Sequence, residues 1–108
     1  MATALAAVTL AGCGGSDSGD NAKADAKTAC DLLDRMGTLH LSSKRDSSYY
    51  EFGAAVTLAQ GAAERDSQYK PLREALERAS NAMQQKYDAH NPITRDGIAK
   101  AKDLCADL

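Results

Sequence analysis

Apolar residues recur at steps of three and four over most of the chain, and sustained alternation of apolar and polar positions is missing. From about residue 22, Ala22, Ala26, Ala29, Leu33 and Met36 form one stripe, predicting a helix with Asp20 or Asn21 as its cap and Gly37 as its stop. Thr38 to Ser47 reads as a connection. Ser48 and Glu51 have capping-box spacing, and Tyr49, Phe52, Val56, Ala59 and Ala63 carry the stripe of a second helix. Asp66 to Lys70 reads as a turn, with Pro71 in the first turn of a third helix. That helix carries Leu72, Leu76, Ala79, Met83 and Tyr87, with Glu74 and Arg78 one turn apart on the wet side. His90-Asn91-Pro92 ends it. Asn91 or Thr94 then caps a fourth helix bearing Ile98, Ala101, Leu104, Cys105 and Leu108.

These elements predict an all-α fold, a small antiparallel bundle of three to four helices joined by short connections. Gly53, Thr57 and Gly61 lie four apart on a second strip of the second helix. Their small size predicts close backbone packing inside the bundle, with a docking face for a partner as the weaker alternative.

At 108 residues the chain holds at most one small domain with accessory segments. Alanine is the commonest residue, there is no Trp and one Phe, so the expected core is aliphatic and made of small side chains. A domain of this size gains little from burial alone and profits from a covalent staple. The net charge is −2 with both signs mixed along the chain, so a basic footprint for nucleic acid is missing.

Ahead of the helices, residues 2–11 are uncharged and almost wholly apolar, too short to span a bilayer but of the length of a secretory-signal core. They run into Leu10-Ala11-Gly12-Cys13, followed by a Gly, Ser and Asp string. This junction resembles the lipobox of bacterial lipoproteins. The alanine-rich composition with residues 10–15 is similar to small actinobacterial lipoproteins.

The resemblance implies that Cys13 receives a thioether-linked diacylglycerol and that residues 1–12 are a signal peptide cut before it. Two acyl chains make a stable anchor where one, at roughly 0.8 kcal/mol per buried CH₂, binds only marginally. Residues 13–22 would then be the lipidated cysteine and a flexible tether, and 23–108 the helical domain. The implied address is the extracytoplasmic face of the cell membrane. A signal of this kind opens with Lys or Arg, which residues 1–12 lack, so the true start is expected further upstream.

With Cys13 lipidated, Cys30 and Cys105 remain. Export favours a disulfide between them, closing a loop of about 75 residues worth roughly 4 kcal/mol in the chain-entropy model. Two separate buried thiols are the alternative. In a level up-down bundle the two cysteines sit at different heights, which calls for a splayed or three-plus-one packing.

No nucleophile elbow, phosphate loop or calcium loop is present, so no catalytic residue, metal or cofactor is expected. His40 and His90 stand alone, and a metal site between them is the minor reading. Lys44, Arg45 and Tyr50 form the candidate binding surface, because Tyr and Arg are enriched at hot spots. The expected function is a non-catalytic binding or accessory module of the cell envelope. Its expected partners are the membrane, through the lipid, and an envelope protein or small ligand, with no nucleic acid. One alternative is a carrier of a small apolar ligand among Val56, Leu58, Leu72, Leu76 and Met83. The other is an exclusion or immunity-type lipoprotein from a mobile element.

Overall fold

Among the described residues there are four α-helices: α1 is Ser18–Met36, α2 Ser47–Arg65, α3 Lys70–Lys86 and α4 Pro92–Cys105, with a 3-10 turn at Ser67–Tyr69 leading into α3. The computed structural model describes residues 18–37, 39, 47–86 and 88–108, and these contain no strand. The predicted all-α bundle is the fold.

Helix α1 starts at Ser18, inside the 13–22 stretch expected as a tether. Ala22 is fully buried, four residues ahead of Ala26, so the stripe requires a helical turn before its first member. At the other end Gly37 has φ +63°, the left-handed conformation that closes a helix and that glycine adopts without strain. Asp66 starts the 3-10 turn, its Oδ1 accepting from the Gln68 backbone N–H at 3.1 Å. Pro71 falls in the first turn of α3, as expected.

Asn91 is the cap of α4. Its Oδ1 accepts from the Thr94 backbone N–H at 2.9 Å. Its Nδ2 donates to the Asp88 carbonyl at 2.6 Å and to Thr94 Oγ1 at 2.7 Å. The Thr94 hydroxyl passes its own proton on to the Ala79 carbonyl at 3.1 Å, tying the start of α4 to α3. Asn91 and Thr94 are buried and their side-chain polar atoms have partners, which is what burial of polar atoms demands.

The bundle is two helical hairpins side by side. In the first, α1 packs along α2, and rows of buried alanines line both helices: Ala22, Ala26 and Ala29 on one, Ala55, Ala59 and Ala62 on the other. Side chains this short bring helix axes to the near end of the usual range, about 8 Å. Two ion pairs mark the antiparallel register, Asp25 with Arg65 and Arg35 with Glu51 (3.3 Å). Both are partly exposed and contribute at most about 1 kcal/mol each. Glu51, expected at the capping box, therefore faces α1.

In the second hairpin α4 lies on α3 through Thr94, Gly97 and Ala101. Of the expected stripe Ile98, Ala101, Leu104, Cys105 and Leu108, Ala101 is fully buried, Ile98, Leu104 and Cys105 are half-buried, and Leu108 is exposed. The seam selects the smaller residues because Gly97 lets the helices approach to contact. On the wet side of α3, Arg73 lies 3.8 Å from Glu77 and 4.0 Å from Glu74, so the expected Glu74–Arg78 pairing is replaced.

Contacts between α2 and α3 join the hairpins over Phe52, Leu33, Leu72, Leu76 and Met83, the larger side chains of a continuous core. The 3-10 turn adds Tyr69, whose burial pushes its phenol up from the ordinary range, assisted by the nearby Asp66 charge. By contrast α1 and α4 touch lightly, and a Cys30–Cys105 disulfide closes that edge, with 5.7 Å between the Cα atoms. The start of α4 borders the end of α1, where Met36, Leu39, Pro92 and Ile98 share one groove.

Candidate functional site

Of the expected binding surface, Tyr50 lies on α2 and is 63% exposed, while Lys44 and Arg45 lie outside the described residues. Tyr50 is the most exposed large apolar side chain described. Its position follows from the α2 stripe: Phe52 takes the core, so Tyr50 two residues earlier is turned away from it. Tyr49 is half-buried and meets Tyr50 edge to face, centroids 5.5 Å apart at 84°. This arrangement suits the ring quadrupoles and leaves a face of Tyr50 toward solvent.

The two tyrosines border an open groove of about 370 Å³ between the first half of α2 and the second half of α3. Phe52 and Met83 form its apolar floor. Thr57, Ser80 and Gln84 supply hydroxyl and amide groups along its sides. The Thr57 hydroxyl donates to the Gly53 carbonyl at 3.1 Å, and Gln84 Nε2 donates to Ser80 Oγ at 3.2 Å. Each side chain is thus held by its own helix with acceptor capacity remaining. Sequence reading singled out neither Ser80 nor Gln84. Their i, i+4 spacing beside Met83 was visible, but the pairing of α3 with α2 that brings them opposite Tyr50 was not.

The glycines are redistributed relative to expectation. A β-carbon on Gly53 meets nothing within 4 Å, and one on Gly61 comes only to 3.8 Å from Asp25 Oδ2. Thr57 is exposed. The Gly53, Thr57 and Gly61 strip is therefore not an internal seam, because α1 and α3 flank α2 along its alanine rows. The glycine at a close approach is Gly97, which the sequence reading passed over.

A second groove, of about 690 Å³, lies where the end of α1 meets the start of α4. It combines apolar Met36, Leu39 and Ile98 with His90, Arg95, Asp96 and Lys102. His90 is exposed in the turn before α4, and His40 lies outside the described residues. Among the described residues, no three His, Cys, Asp or Glu side chains converge as a metal site.

The apolar-ligand carrier needs room among Val56, Leu58, Leu72, Leu76 and Met83. Leu76 is fully enclosed, Leu72 and Met83 are nearly so, and Val56 and Leu58 pack against them in one filled core. Cys13 lies outside the described residues, whose helices include none long and apolar enough to cross a membrane. No family model matches the chain, and neither a curated protein nor a solved structure matches it.

Proposed function

We propose that the chain is a non-catalytic binding or accessory module, held at the extracytoplasmic face of a bacterial membrane by a lipid on Cys13. The observation that carries this reading is the division of labour among three cysteines. Cys30 and Cys105 are bonded to each other across the domain, as suits an oxidising compartment. Cys13 is left over, at a Leu-Ala-Gly-Cys junction that resembles a lipobox. Tethering concentrates a weak binding surface near its membrane partners, so a small domain with an open groove suffices.

The test is the intact, non-reduced mass of the protein extracted from its native membrane. The expected mass is residues 13–108 plus diacylglycerol, with or without a further acyl chain, less two hydrogens. In parallel, Cys13→Ala is expected to leave the membrane fraction with its helical signal unchanged. An unmodified mass beginning at Met1 with three free thiols overturns the proposal.

A further inference from the structure

Gly53 sits inside α2, where glycine costs up to about 1 kcal/mol of helix propensity relative to alanine. Nothing in the fold requires it, since an added β-carbon has open space on all sides. What its missing side chain does is leave the middle of the tyrosine groove open, one turn along from Tyr49 and Tyr50 and one turn before Thr57.

That groove also differs in charge from the rest of the surface. None of the described side chains that line it is charged, in a chain where 26% of residues are. The four other grooves described each include charged side chains. Three of the five aromatic residues of the chain, Tyr49, Tyr50 and Phe52, gather in the uncharged one.

These features select among ligand chemistries. Among the described residues, an ionic ligand finds no counter-charge there. A purely apolar ligand would cover the Thr57, Ser80 and Gln84 polar atoms without pairing them, which costs free energy. A saturated sugar ring presents a face of C–H groups for an aromatic ring and an edge of neutral hydroxyls for hydroxyl and amide side chains. We propose that the groove between α2 and α3 is a carbohydrate site for one or two uncharged sugar rings. Tyr50 is its stacking platform, Thr57, Ser80 and Gln84 pair the sugar hydroxyls, and Gly53 is the gap that admits the ring.

The site deepens the reading of the domain as a binding module and is independent of the anchor. A volume near the low end of ligand sites, and open to solvent, fits weak affinity, with Kd on the order of 1 mM.

The test is a titration of the ¹⁵N-labelled full chain, its Cys30–Cys105 bridge intact, with maltotetraose, tetra-N-acetylchitotetraose and mannotetraose. At least one sugar is expected to shift amides of residues 49–57 and 80–84, leaving those of α4 in place. Gly53→Leu, which fills the gap and favours helix, is expected to keep or raise the thermal midpoint and weaken binding about tenfold or more. Tyr50→Ala is expected to weaken it similarly, and Tyr50→Phe to retain the stacking. Three results overturn the site: no shift with any of the sugars, shifts unchanged in both groove variants, or the same amides answering a proline-rich peptide in place of the sugars. None of them bears on the mass of the lipidated protein, so the anchor stands or falls separately.

Discussion

A β-carbon placed on Gly97 of α4 falls 2.8 Å from the Ala79 β-carbon of α3, and 2.7 Å from the Ala75 carbonyl oxygen. The two helices touch backbone to side chain at this point. Ala79 cannot turn aside, having no side-chain torsion, and the Ala75 carbonyl belongs to the α3 backbone.

Gly97→Ala is therefore expected to destabilise the domain by roughly 1–3 kcal/mol, although alanine is the better helix former. Urea denaturation checks this: the midpoint falls and the slope is unchanged. A midpoint at or above the parent value would show that α4 is free to move off α3 and that the approach is looser than described.

The disulfide joins α1 and α4, which pack only lightly on one another. Replacing Cys30 and Cys105 together by alanine is expected to cost roughly 4 kcal/mol, the chain-entropy value for a closed loop of 75 residues. The reduced parent protein is expected to melt with the double variant, well below the oxidised parent. If all three melt together, the bridge adds nothing to the cohesion of the hairpins.

The 3-10 turn carries two titrations of opposite sign. Burial raises the Tyr69 phenol in the fold, so its contribution is complete below the ordinary tyrosine value of about 10 and is lost as pH rises through the folded value. Asp66 accepts from the Gln68 side-chain amide at 2.8 Å and from its backbone N–H, which holds the carboxyl below its ordinary range. Its contribution is present above the unfolded value and fades as pH falls through the folded one. An ultraviolet titration of the tyrosines is expected to show a late step that Tyr69→Phe removes. A parent curve in which that step is missing would place Tyr69 in water.

Which parts of this fold could be read beforehand depended on whether a residue's role is local. Gly37 and Asn91 act on the helix end beside them, through a left-handed φ and a side-chain acceptor, and both were legible. So was the α1 stripe, whose Ala22, Ala26, Ala29, Leu33 and Met36 are all buried. Gly53 and Gly97 look alike in sequence, each a glycine within a helical pattern. Only the placement of neighbouring helices separates an open surface from a tight seam. In α4, steps of three and four fit both the Ile98 and the Gly97 faces, and the closer-packing one prevailed. The candidate site was legible only in Tyr50, because the other half of the groove comes from a helix thirty residues further on.

Among the described residues, twelve of the twenty-one buried apolar positions are alanine. A buried leucine or methionine surrenders about 0.5–2 kcal/mol of rotamer entropy, and alanine surrenders none. The alanine rows of α1 and α2 therefore order the chain without freezing side chains, and the apolar area they hide is set against backbone ordering alone. The same economy removes any slack. Where a leucine core answers an intruding methylene by changing rotamer, Ala26 and Ala59 have no second arrangement to adopt, so the helix itself must move, and with it the tyrosines at its head.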